Sequence, residues 1–167
     1  MSTQMQSNSI RILGVDPGYD RIGIAIVEKN IQKKETVLFS ECFETSPKNE
    51  IYKRFQLIGE EINRVMDEYN PTALAIETLF ITKNQKTAMR VSELRGIILY
   101  ESIKRNMVIS EYSPMQIKMA VTGDGTSDKD RMIKMVQLLV QLPAKKRIDD
   151  EYDAIAVALT HAAMKKV

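Results

Sequence analysis

Apolar positions come first in short runs and later at helical spacing. Ile10 to Asp16 is a run of strand residues closed by Asp16-Pro17-Gly18, a turn signal. Ile22 to Glu28 is rich in Ile and Val, and Thr36 to Glu44 is a third plausible strand. Their spacing predicts an antiparallel meander. The period then changes: Ile51, Phe55, Ile58, Ile62, Val65 and Tyr69 recur every three or four residues, so Asn49 to Tyr69 predicts an amphipathic helix. Asn70-Pro71 stops it. Thr72 to Glu77 predicts a buried strand, apolar on both faces as parallel strands are. A helix from Asn84 to Arg105 and a strand from Met107 to Tyr112 follow. Ser113-Pro114 suits a helix start, with Ser as cap and Pro in the first turn. Residues 123–127 predict a loop, Asp128 to Leu142 a helix, and Asp150 to Lys165 a last helix. The order βββαβαβααα predicts an α/β fold: a mixed five-stranded sheet, three antiparallel strands plus two parallel, flanked by helices. Residues 1–9 read as a flexible polar tail and 10–167 as a single domain.

Composition agrees and narrows the class. At 167 residues, with 44% apolar and 28% charged residues, the chain suits one globular domain. It contains no apolar run of membrane-spanning length and no hydrophobic leader, which predicts no membrane partner. Cys42 alone cannot close an internal disulfide, so a reducing cytoplasm is expected. One cysteine and one histidine exclude a Cys/His zinc cluster. Charge is uneven: residues 83–147 carry 13 basic and 6 acidic groups, net +7, between flanks of −3 and −2. Such a block suits a polyanion, or simply a set of solvated helices.

The acids point to chemistry. Asp16 and Glu77 each end a strand as its only carboxylate, where ligands gather in open α/β sheets. Asp150 and Asp153 share one face in the first turn of the last helix. The pair also suits the helix dipole, and Asp16 also suits a turn. Glu77 on a buried strand demands a partner. Acids from separate elements, with no histidine beside them, suit a hard cation such as Mg²⁺, and two such ions serve phosphoryl transfer. With the basic block, this reads as a nuclease. His161 lies eight residues beyond Asp153, about 12 Å along the axis, and reads as structural.

Three segments then carry a resemblance. Residues Ile12 to Gly18, Ala75 to Asn84 and Asp150 to Ala158, with Glu93-Leu94-Arg95-Gly96 and Tyr112-Ser113-Pro114 before Lys118, resemble the RuvC family of bacterial Holliday-junction resolvases in the right order from about Arg11 to Ala163. The resemblance implies an RNase H-like fold and a homodimer on four-way junction DNA. It implies Mg²⁺-dependent cutting of two strands of like polarity, leaving 5′-phosphate and 3′-hydroxyl ends, in recombination and repair. It implies two metal ions per site, with Mn²⁺ as a substitute. Catalytic and metal-holding acids would be Asp16, Glu77, Asp150 and Asp153. DNA contacts would include Phe80 as a wedge, Lys83, Asn84, Arg95, Lys118 and Lys129. Dimer contacts would fall on the Asn84–Arg105 helix, and RuvA and RuvB would be partners.

On residue chemistry alone, Phe80 suits base stacking or apolar packing, and the two lysines suit phosphate or plain solvent. The stretch Tyr19 to Ala25 also looks like the YqgF nucleases of ribosomal RNA maturation. A non-catalytic junction binder is a third reading, although four acids facing phosphates would only hinder it. Longer sugar kinases and actin-like ATPases share the fold core, but no Walker-type loop is present. The loop from Gly123 to Asp128 is more acidic than the family pattern and would weaken DNA contact there.

Overall fold

The computed structural model describes residues 9–30, 33–79 and 84–164. Ten elements follow in the predicted order: β1 (Ser9–Asp16), β2 (Arg21–Asn30), β3 (Lys33–Glu44), α1 (Ile51–Tyr69), β4 (Ala73–Glu77), α2 (Gln85–Lys104), β5 (Val108–Tyr112), α3 (Pro114–Thr122), α4 (Lys129–Leu139) and α5 (Asp149–Met164). The sheet runs β3-β2-β1-β4-β5. β1–β2 and β2–β3 are antiparallel, while β1–β4 and β4–β5 are parallel. Ser9 opens β1 opposite Asn30; the tail expected before it lies outside the described residues.

The helices divide between the two sheet faces according to the strand alternation. Leu13, Val15, Ile22, Ile24, Ile26, Leu74 and Ile76 point toward α1 and α2 and pack on Phe55, Ile58, Ile62, Leu94 and Ile98. The other face carries smaller residues: Gly14, Gly23, Ala25, Ala73 and Ala75. Over it lies α5, buried nearly all round from Ala154 to Ala162, with α3 and α4 packed beside it.

Small residues there let α5 approach closely. A Cβ on Gly14 would collide with the Ala154 carbonyl oxygen and stand 2.8 Å from the Ala158 Cβ. On Gly23 it would collide with the Asp150 carbonyl oxygen and stand 2.9 Å from that carbonyl carbon. The glycines are therefore needed for contact, not for backbone freedom.

Local chemistry explains most boundaries. Asn70, left-handed at φ 50°, ends α1 by returning its N–H to the Met66 carbonyl. Ser113 and Gln116 form a reciprocal capping box on α3, with Pro114 in its first turn. Two boundaries differ from expectation by three residues: β3 begins at Lys33, not Thr36, where Asn30 pairs with Lys33 across the hairpin. α4 ends at Leu139, not Leu142, because Val140 turns extended. Gln141 then bridges to the edge of β3, donating to the Glu35 carbonyl at 2.8 Å and accepting from the Val37 N–H at 2.9 Å.

Two glycine substitutions should separate contact from flexibility. Gly23→Ala should lower stability by about 1–3 kcal/mol, because the atoms it meets are backbone. Gly59→Ala, where the new Cβ meets only the Ile97 Cγ2 at 3.5 Å, should raise it by about 0.5–1 kcal/mol. Denaturant midpoints with unchanged m-values would read both.

Candidate active site

Register brings the first two acids together. Val15 pairs with Ile76 across β1 and β4, so Asp16 and Glu77 are the next residues out on neighbouring strands. Parallel neighbours share a face, and here it is the face that α5 covers. Asp150 and Asp153 lie in the first turns of α5, over Gly23 and next to Ala154. The four acids thus meet from β1, β4 and α5 at the carboxyl ends of the strands.

Adjoining clefts open there. One is lined by Asp16, Pro17, Glu77, Thr87, Val91 and Pro114. The next shares Glu77 and adds Lys118, Lys129 and Asp153. A third reaches Asp150 past Arg21 and Asp20. Thr87, Val91 and Arg21 had no signal in the sequence that marked them as cleft residues.

The electrostatics are those of crowded acids. Burial pushes the Asp16 carboxyl from about 3.8 up to about 7, Asp153, Glu77 and Asp150 add repulsion, and Lys129 opposes. Glu77 is raised by burial and by Asp153, against Lys129 and Arg95. Asp153 is raised by burial despite the hydrogen bond it accepts from the Lys129 ammonium. Burial works against the Lys129 charge, yet the Asp153 hydrogen bond and the surrounding carboxylates raise its pKa. Arg21 stands 3.7 Å from Asp150.

Among the described residues, no three His, Cys, Asp or Glu side chains are gathered tightly enough to grip an ion as they stand. The donor set nevertheless fits a hard cation. It consists of carboxylate oxygens whose mutual repulsion a divalent ion would relieve.

The remaining expected residues divide. Lys118 and Lys129 join Glu77 and Asp153 on one cleft wall. Asn84 caps α2, its side-chain oxygen accepting from the Thr87 N–H at 3.2 Å. Arg95 is only 6% exposed, so the structure corrects its expected place at the DNA surface. Its guanidinium is bound to the Glu77 carbonyl and the Glu111 carboxylate, which makes it a strut behind the end of β4. Ala88, Arg95 and Ser102 recur every seven residues and are all buried, a spacing that marked Arg95 as inward. Phe80 and Lys83 lie outside the described residues.

His161 is buried and bonds the Tyr112 hydroxyl through Nδ1 at 3.0 Å, a structural role as expected. The acidic loop is consumed locally. Asp124 accepts from Thr126 and pairs with Arg131, and Asp128 caps α4. The basic block is partly neutralised too: Lys145 and Arg147 turn toward Glu151, and Arg90, Lys104 and Arg105 pair with Glu93, Glu101 and Asp67.

This fold and site define an RNase H-like α/β protein with a carboxylate-lined cleft at the strand ends. Known proteins agree. The sequence model of the family described as crossover junction endodeoxyribonuclease RuvC matches residues 12–161. A crossover junction endodeoxyribonuclease RuvC from Thermosipho melanesiensis is 42% identical over 149 residues, which is 89% of this chain and 94% of the relative. The structure of T. thermophilus RuvC in complex with a Holliday junction substrate superposes with a TM-score of 0.85 at 29% identity, over 92% of this chain and 93% of that one. The yeast mitochondrial Holliday junction resolvase Ydc2 shares the fold, with a TM-score of 0.70 at 16% identity over 92% of this chain and 78% of its own. The chain belongs to the RuvC family. That placement favours the first of the resemblances over the YqgF branch. Among the described residues, no helix is long and apolar enough to cross a membrane.

The raised acids make a pH prediction for the metal-free protein. Asp16 titrates near 3.8 when unfolded and about 7 when folded, so the folded state holds the extra proton. The stability this confers is complete below about pH 4 and is lost as the pH rises through about 7. Glu77 and Asp153 shift the same way. Unfolding in EDTA should therefore need less denaturant at about pH 8 than at about pH 5. Asp16→Asn should flatten that slope and raise stability at neutral pH by about 1–2 kcal/mol.

Proposed function

We propose that this chain resolves Holliday junctions in recombination and repair. It hydrolyses phosphodiester bonds in two strands of like polarity and leaves 5′-phosphate and 3′-hydroxyl ends. The observation that carries the reading is the convergence of Asp16, Glu77, Asp150 and Asp153 from three elements on adjoining clefts, where burial, and then the neighbouring acids, push Asp16 up to about 7. The junction complex of the Thermus relative supports the substrate.

In this reading the four acids hold two Mg²⁺ ions, for which Mn²⁺ would substitute. When bound, the metal supplies activation of the attacking water and charge stabilisation at the leaving oxygen. The protein's own contribution is placement. The parallel register of β1 and β4 sets Asp16 beside Glu77, and α5 presents Asp150 and Asp153 to them. Lys118 and Lys129, on the wall shared with Glu77 and Asp153, hold the scissile phosphate. Arg95 keeps the end of β4 in place from behind.

A homodimer would supply two such sites, one for each strand. The outer face of α2, with Met89, Tyr100 and Ile103 exposed, offers apolar surface for the second copy. Phe80 and Lys83 would meet the junction. RuvA and RuvB would be the branch-migration partners, and the work would be done in the cytoplasm.

Cleavage of an immobile four-way junction, beside a matched linear duplex and with Mg²⁺ or EDTA, tests this. Paired, symmetric nicks are expected only in the junction and only with metal. Asp16→Asn and Glu77→Gln should bind the junction yet cut it at least about 100-fold more slowly, the scale of losing a transition-state electrostatic contact. Near-normal turnover by Glu77→Gln, or equal cutting of the linear duplex, would refute the reading.

A further inference from the structure

Between the two acids of α5 sits a third that the cleft does not use. At about 100° per residue, Glu151 lies about 100° round the helix from Asp150 and about 160° from Asp153. It is 5% exposed, and two cationic side chains converge on it. Its Oε2 accepts from the Ser40 hydroxyl at 2.7 Å and from the Lys145 ammonium at 2.8 Å, and the Arg147 Nε is 4.0 Å away. The network closes on itself: Arg147 Nε donates to the Ser40 Oγ at 2.9 Å, and Lys145 donates to the Ser40 carbonyl at 2.6 Å. Arg147 Nη1 also ties down the Pro143 and Lys145 carbonyls, at 3.0 and 3.3 Å.

These bonds join three parts of the chain: β3 at Ser40, the connector between α4 and α5, and the first turn of α5. Apart from the Gln141 bridge, residues 140–148 have no regular structure to aim the helix that follows. Packing on Gly23 fixes how near the first turn of α5 lies to the sheet. Glu151 adds a hold on the rotation of that turn, beside the Lys129–Asp153 and Arg21–Asp150 pairs, because its carboxylate is held from β3 by Ser40 and from the connector by Lys145. Buried ion networks are seldom the most stabilising choice; a well-packed apolar cluster is often as stable or more so. What they supply is a defined arrangement.

We propose that Glu151 is a positioning residue for the carboxylate site. Through Ser40, Lys145 and Arg147 it fixes the first turn of α5 and so sets where Asp150 and Asp153 stand relative to Asp16 and Glu77. The proposal rests on the reading of those four acids as a metal-holding site.

The test uses the full-length chain and Mg²⁺ alone as probe. Thermal melting is titrated with Mg²⁺ for the parent, Glu151→Ala, Glu151→Gln, Ser40→Ala and, as a control, Asp153→Asn. Half-saturating Mg²⁺ for junction cutting and junction binding in EDTA are measured beside it. Glu151→Ala should weaken Mg²⁺ about 10-fold or more in both titrations, the scale of losing a group that orients metal ligands. Binding in EDTA should not change. Ser40→Ala should give a smaller shift in the same direction, and Glu151→Gln, whose amide oxygen still accepts from Ser40 and Lys145, the smallest. A lower melting temperature for Glu151→Ala with unmoved Mg²⁺ midpoints would make Glu151 merely structural and overturn the proposal. If Glu151→Ala does not fold, unmoved midpoints in both Ser40→Ala and Glu151→Gln overturn it equally. An Asp153→Asn protein that answers Mg²⁺ like the parent would sink the site reading, and the proposal with it.

Discussion

The first turns of α5 rest directly on the sheet at Gly14 and Gly23, and the site inherits its geometry from that approach. A helix normally packs on its neighbour through interleaved side chains. Here the strands offer glycine and alanine, and the helix offers Ala154 and Ala158, so backbone meets backbone. The same face of β1 that carries Gly14 carries Asp16 two residues later. The helix turn that meets Gly23 carries Asp150. Removing side chains at the contact is therefore what allows carboxylates from strand and helix to share one cleft.

That convergence has an electrostatic cost. Burial and mutual repulsion raise Asp16, Glu77 and Asp153, and only part of the strain is relieved from within. Lys129 bonds Asp153, Arg95 sits behind Glu77, Arg21 approaches Asp150, and the α5 dipole favours negative charge in its first turn. These groups sit at the edges of the cluster and leave its centre, at Asp16, the least satisfied. A site of this kind is built against the stability of the protein that contains it.

Much of this was legible in the sequence. All ten elements follow from period, turn and cap signals, because each signal is local: Asp16-Pro17-Gly18, Asn70-Pro71, Ser113-Pro114. The meeting of the four acids was legible too, since strand ends and a helix start are positions that topology brings together. Long-range pairing was not. The end of α4 depends on the edge of β3, roughly a hundred residues earlier, and no periodicity in residues 128–142 reports it. Buried charge was also hidden. Arg95 and Arg147 were counted with a surface block, although Arg95 is spaced seven residues from buried Ala88 and Ser102. Likewise Glu151 lies four residues before Ile155 and seven before Ala158, on the inward face of a helix buried nearly all round. Charge identity outweighed spacing, and spacing was the better guide.

The placement of α5 after every other element also sets a timetable. Asp16 comes from the first strand and Glu77 from the fourth, but Asp150 and Asp153 come from the last helix. Contacts this distant in sequence form late and make folding slow. A chain still being synthesised can pair β1 with β2 and β3, and can add β4 and β5, without α5 covering the face that those strands leave bare. Asp16 and Glu77 then already stand side by side at the strand ends, but without the two acids that α5 brings. The four-acid cluster is therefore complete only once α5 has docked, so its assembly marks the last step in building the fold.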